Sequence, residues 1–148
     1  MRKPISWEEY WMKQAELIAL RSKDPVTQVG AVAVDKDNRQ RAGGYNGFPK
    51  GIKETDERWE RPTKYQYVVH SEINLIANAV RTGTGLADCT LYITIPPCSD
   101  CAKAIVQAGI TKVIYKNLPS PGSTLGYAHA AELFKEAGVE LVQFNNPS

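Results

Sequence analysis

The sequence predicts an α/β fold, with helices packed on a largely parallel sheet, and three observations carry that reading. Beyond residue 89, short β-branched segments alternate with segments of helical periodicity, the pattern of right-handed parallel crossovers. Before them, two strand-like segments flank a polar turn and read as a hairpin, so the sheet is expected to be mixed. The 148 residues, 43% hydrophobic and 23% charged, suit one domain spanning 1–148 with a proper core.

The elements follow in the order αββαβαβαβ. "SWEEYWMKQAELIALRSK" reads as an amphipathic helix, with Ser6 as N-cap, Glu9 at the capping-box position, and Trp7, Tyr10, Trp11, Leu17 and Ile18 at helical spacing. "DPVTQ" breaks it, because the residue before a proline avoids the α region. "VGAVAVD" is apolar and β-branched, as a buried strand should be, "KDNRQ" is a turn, and "RAGGYNG" is a weaker strand running into a loop. Residues 47–66 are rich in glycine, proline and charge, and a connection that long is often functional. "VVHSEINLIANAVRTG" resumes helical periodicity. "CTLYITI", "TKVIYK" and "VELVQF" are the remaining strands, separated by helices in "SDCAKAIVQAG" and "YAHAAELFKEAG" that end at Gly109 and Gly138. The segment "SPGSTLG" between the last two strands reads as a loop.

Composition narrows the function. A net charge of +2 with both signs interspersed argues against a polynucleotide partner. No apolar run has the length of a membrane span, and the first residues lack the apolar region of a secretory signal, so a cytoplasmic protein is expected. Three cysteines in such a setting do not suggest a disulfide framework.

The chemistry concentrates at two predicted helix starts, His70-Ser71-Glu72 and Pro97-Cys98-Ser99-Asp100-Cys101. A helix N-terminus favours thiolates, and Cys98 and Cys101, three apart, share a helix face. With His70 they make three ligands and leave a fourth position open, the arrangement of catalytic rather than structural zinc. Glu72 could take and return a proton beside a metal-activated water. The ordered pattern H-x-E…P-C-x-x-C is the signature of zinc deaminases. Competing readings are a redox dithiol or packed pair for the cysteines, a satisfied core residue for His70, and a helix-dipole carboxylate for Glu72. Cys89 and His129 read as packing or surface residues, although His129 could meet a substrate phosphate near "SPGSTLG". Trp11 and Trp59 read as packing or oligomer-interface residues.

With those residues in view, the chain resembles the deoxycytidylate deaminases of the cytidine deaminase-like superfamily over roughly residues 10–144, through "SKDPVTQVGAVAVD", "GYNGFPKG", "ERWERPTKYQYVVHSE" and "PPCSDCAKAIVQAGITKVIY". The resemblance implies a three-layer α/β/α fold with a five-stranded mixed sheet. It implies one catalytic Zn2+ on His70, Cys98 and Cys101, with Glu72 carrying protons to cytosine N3 and to the departing ammonia. It further implies that the Ser71 backbone N–H meets the base O2, that Asn46 holds the sugar or base edge, and that Pro97 and Tyr115 lie against the nucleotide. The family's usual H-A-E is H-S-E here. Some relatives hold a second, structural zinc, but residues 1–69 contain no cysteine or histidine, so a single zinc is expected.

A nucleotide phosphate needs cations, hydroxyls or N–H groups. Arg21, Ser22, Lys23 and Thr27 after the first helix are candidates, as are Arg58, Arg61 and Lys64 in the long insert. The expected function is hydrolytic deamination of dCMP to dUMP by a homo-oligomer. Deamination of another cytosine nucleotide or nucleoside, editing of a nucleic-acid base, and a non-catalytic zinc scaffold are the alternatives.

Overall fold

A computed structural model describes residues 1–119 and 124–145. Five strands form one sheet in the order β2-β1-β3-β4-β5. They are β1 (Gly30–Val34), β2 (Gln40–Tyr45), β3 (Thr90–Ile93), β4 (Lys112–Tyr115) and β5 (Glu140–Gln143). β1 pairs antiparallel with β2 and with β3, whereas β3–β4 and β4–β5 are parallel. The hairpin and the parallel crossovers both match the sequence expectation. The interior position of β1, between β2 and β3, does not follow from periodicity, since the hairpin could have joined the sheet by either strand.

Alternation along each strand divides the core. Ala31, Ala33, Leu91, Ile93 and Val113 face α3 (Ser71–Thr82), α4 (Ser99–Ala108) and α5 (Thr124–Ala137), and the fully buried Phe134 closes that side. Val32, Val34, Tyr92 and Ile114 face α1 (Trp7–Ala19), which contributes Trp11, Met12 and Ala15. The expected three layers are therefore present, three main helices on one face and one on the other. Trp11 packs in this second core, and Cys89 is buried in the first.

The ends of α1 and α4 obey local chemistry. Ser6 caps α1 by accepting from the Glu9 N–H at 3.1 Å. α4 stops at Gly109, whose φ of 87° is the left-handed cap that glycine adopts without penalty. α1 ends at Ala19, short of the periodic stretch that reaches Lys23, and Ser22 and Asp24 turn inward instead. The long insert is not structureless. It carries a one-turn helix, α2 (Asp56–Trp59), and a 3₁₀ turn at Thr63–Gln66. Trp59 is buried and stacks on Phe48 with ring centroids 4.4 Å apart. A backbone bridge between Gly47 and Val69 ties the base of the insert.

Two glycines let helices approach the sheet closely. A Cβ on Gly30 would lie 2.1 Å from the Ala15 carbonyl oxygen of α1. A Cβ on Gly44 would lie 2.5 Å from both the Ser71 carbonyl oxygen and the Leu75 nitrogen of α3. Gly44 thus sets the depth at which the first turn of α3 sits. No described helix is long and apolar enough to cross a membrane.

Candidate active site

Two helix N-termini meet at the carboxyl end of β3. His70 is the N-cap of α3 and Cys98 the N-cap of α4, both with extended backbone. Neither side chain makes a capping hydrogen bond, so both are free to face each other. His70 Nδ1 lies 3.6 Å from Cys98 Sγ and 3.3 Å from Cys101 Sγ. The three donor atoms all lie within 4.8 Å of one another. A tetrahedral zinc with ordinary bond lengths needs N···S separations of about 3.5 Å, so these residues fit that ion. Among the described residues this is the only group of three or more His, Cys, Asp or Glu side chains near enough to share a metal.

The electrostatics suit a cation. Hydrogen bonds from Cys101 and His70 bring the Cys98 thiol down to about 4. The same bond to Cys98, together with burial and the nearby Glu72 charge, pushes Cys101 up. His70 is raised by its contact with Cys98. Ionising two neighbouring sulfurs is costly, and a divalent cation is the partner that offsets the cost for both. Glu72, in the first turn of α3, is 5% exposed. Burial pushes its pKa above the carboxylate range, partly offset by the Ser71 hydroxyl, which donates to Oε1 at 2.6 Å.

Above this group opens a cleft of about 210 Å³. His70, Ser71, Glu72, Pro96 and Cys98 line it together with Asp24, Thr27, Asn46, Arg61, Lys64, Tyr65 and Tyr127. A buried polar network builds one wall. Lys64 Nζ donates to Asp24 Oδ2 at 2.8 Å, with both side chains under 10% exposed. Asp24 Oδ1 accepts from the N–H groups of Val26 and Thr27. Asn46 Oδ1 accepts from the Val29 N–H at 2.8 Å, and its Nδ2 donates to the Thr27 carbonyl at 2.9 Å. Burial raises the Asp24 pKa, but Lys64 and the two N–H donors outweigh it and hold the carboxyl below its usual value.

The family model for the cytidine and deoxycytidylate deaminase zinc-binding region matches residues 5–117. The chain belongs to this family. The deoxycytidylate deaminase of Homo sapiens is 41% identical over 146 residues, covering 95% of this chain and 80% of that one. Two crystal structures of the dCMP deaminase from the cyanophage S-TIM5 have the same architecture. The apo form has a TM-score of 0.77 at 30% identity, and the complex with dCMP and dUMP a TM-score of 0.79 at 28%. In both cases the match covers 97% of this chain and all of the other.

Within this family frame, the sequence-predicted residues divide. His70, Cys98, Cys101 and Glu72 converge as expected, and Ser71, Asn46 and Thr27 line the cleft. Asn46 spends three hydrogen bonds on holding the wall. Lys23, Pro97 and Tyr115 lie outside the lining. Lys23 pairs with Glu54 at 3.1 Å, Pro97 is fully buried behind Cys98, and Tyr115 packs against the core beneath α4 and α5. Of the other phosphate candidates, Arg61 and Lys64 reach the cleft. Arg58 instead donates to the Lys53 carbonyl and covers the Tyr67 ring, and Ser22 is buried, donating to the Asn46 carbonyl. His129 is exposed on α5, while Ser120 to Ser123 of the loop beside it lie outside the described residues.

Asp24 and Tyr127 were missed as site residues. Asp24 reads as part of a helix breaker, though an aspartate accepting N–H groups two and three residues on is a local turn motif that sequence can signal. Tyr127 has no such signal, because only the packing of α5 brings it to the cleft.

Proposed function

We propose that this chain deaminates dCMP to dUMP and ammonia, with one zinc on His70, Cys98 and Cys101 and with Glu72 as the proton carrier. The observation that supports this most is a buried carboxylate beside a His-Cys-Cys triad spaced for zinc, with Glu72, His70 and Cys98 lining one cleft of about 210 Å³. Zinc bound there supplies Lewis acidity at a position that no fourth described side chain occupies, which makes water reactive at neutral pH.

The chain's own residues account for the rest. Deamination replaces the C4–N4 bond by a C4–O bond. Water brings two protons, of which one ends on N3 of the product ring and the other on the leaving ammonia. We assign both transfers to Glu72, whose burial raises its affinity for a proton it must hold between steps. The Ser71 hydroxyl donates to Oε1 and so orients the carboxyl group. We assign the Ser71 backbone N–H, unpaired within the first turn of α3, to the base O2. Asn46 and Thr27 form the wall that the sugar would meet. The exposed Trp7 and Leu17 on α1 fit burial against a second copy in a homo-oligomer, and cysteines that form no disulfide fit a reducing, cytoplasmic setting.

The test is ammonia release from dCMP, CMP, dCTP, deoxycytidine and a short cytosine-containing oligonucleotide. The highest kcat/KM is expected on dCMP. Equal rates on dCMP and the oligonucleotide would sink the assignment.

A further inference from the structure

We infer that Arg61 recognises the 5′-phosphate of the substrate, and that the buried Lys64–Asp24 ion pair is the positioning device that aims it. This rests on the deaminase reading and adds to it the source of nucleotide over nucleoside selectivity.

The argument is one of elimination and then of anchoring. Among the described residues, only two cations line the cleft, Arg61 and Lys64. Lys64 is buried and committed to Asp24. The neighbouring cations are also engaged or absent from the lining: Lys23 is held by Glu54, and Arg58 by the Lys53 carbonyl and the Tyr67 ring. Arg61 alone lines the cleft with no carboxylate within ion-pair distance among the described residues.

Position supports the same assignment. The reacting base must reach Glu72 and Ser71, which are buried. Arg61 and Tyr65, which line the same cleft, are exposed to solvent. A phosphate dianion is costly to bury and stays in contact with water, where the exposed, planar guanidinium can meet two of its oxygens.

An arginine on a loose loop would lose much of its discrimination to ordering entropy. Here the segment is pinned on both sides. Trp59, two residues before Arg61, is buried against Phe48. Lys64, three residues after it, is tied to Asp24 at 2.8 Å, and its backbone N–H donates to the Glu60 carbonyl at 2.9 Å. The ion pair thus couples the insert to the wall that carries Thr27 and Asn46.

The experiment is steady-state kinetics of the zinc-loaded enzyme on dCMP and deoxycytidine, comparing the ratio of kcat/KM values. Arg61→Ala is expected to lower the dCMP preference about 10- to 100-fold, the usual worth of a charge-assisted contact, chiefly through KM. Arg61→Lys is expected to fall between, keeping charge but losing the fork. Lys64→Met leaves Asp24 its three other donors, from Val26, Thr27 and Asn46, so the fold should survive. It should reduce the same preference, Lys64→Arg should restore part of it, and Lys64→Met should have no further effect on the ratio once Arg61 is alanine. Wild-type preference in Arg61→Ala would overturn the phosphate assignment. Equal effects of Lys64→Met with and without Arg61 would overturn the positioning role. A wild-type enzyme that turns over deoxycytidine as well as dCMP would instead overturn the dCMP reading itself.

Discussion

Replacing Gly44 by alanine should damage the metal site from a strand that contributes no ligand. Gly44 has an ordinary strand conformation, so the effect comes from space alone. The added Cβ would sit 2.5 Å from two backbone atoms of α3, about 0.9 Å inside ordinary contact. Backbone cannot rotate away as a side chain can, so α3 must back off by a comparable distance. Its first turn carries Glu72, and its N-cap His70 lies 3.3 Å from Cys101 Sγ. A shift near 1 Å would open that separation beyond the roughly 3.5 Å that shared zinc ligation needs. Overpacking of this kind costs about 1–3 kcal/mol of stability, and a misplacement of about 1 Å can cost about 10²-fold in rate. The assays are zinc content by elemental analysis, urea unfolding, and turnover of dCMP. Full zinc loading with wild-type stability and turnover would show that the approach of α3 to β2 does not govern the site.

Four further outcomes are expected. Glu72→Gln should lower kcat on dCMP by at least about 10²-fold while zinc content stays near one per chain, because it removes a proton carrier and no ligand; loss of zinc would instead make Glu72 structural. Chelation should abolish turnover and added Zn2+ should restore it, and activity that persists after verified metal removal would refute a metal-dependent reaction. Since the Asp24 carboxyl is held below its usual value, the unfolded chain binds the extra proton first as pH falls. Stability from the ion pair is then complete above the unfolded pKa of 3.8 and lost as pH drops through the lower folded value. Asp24→Asn should flatten this acid limb in urea midpoints, and an unchanged slope would contradict the assignment. Phe134→Ala should cost about 3–5 kcal/mol in urea unfolding, as expected for a fully buried aromatic; a loss under about 1 kcal/mol would mean the α5 side of the core is loosely packed.

Residues that act through local pattern were legible, and those that act through distant partners were not. His70, Glu72, Cys98 and Cys101 declare themselves because helix starts and short spacings are local properties, and the alternation of strands with helices declares the parallel half of the sheet. Lys23, Tyr115 and Lys64 show the opposite case. Each has the right chemistry for a ligand, yet Lys23 and Lys64 are neutralised by Glu54 and Asp24, 31 and 40 residues away, and Tyr115 packs half-buried against the core.

By itself, the sequence determined the candidate donor set, its order along the chain, and the helix termini that present it, since these depend on residue type and on interactions within a few positions. Only the tertiary structure decided that β1 sits between β2 and β3, that Gly44 sets the depth of α3, and that of the two cations lining the cleft Lys64 is paired with Asp24 while Arg61 has no ion pair among the described residues. Those outcomes depend on which side chains share space across the fold, and burial and charge pairing between remote segments leave no period in the sequence to read.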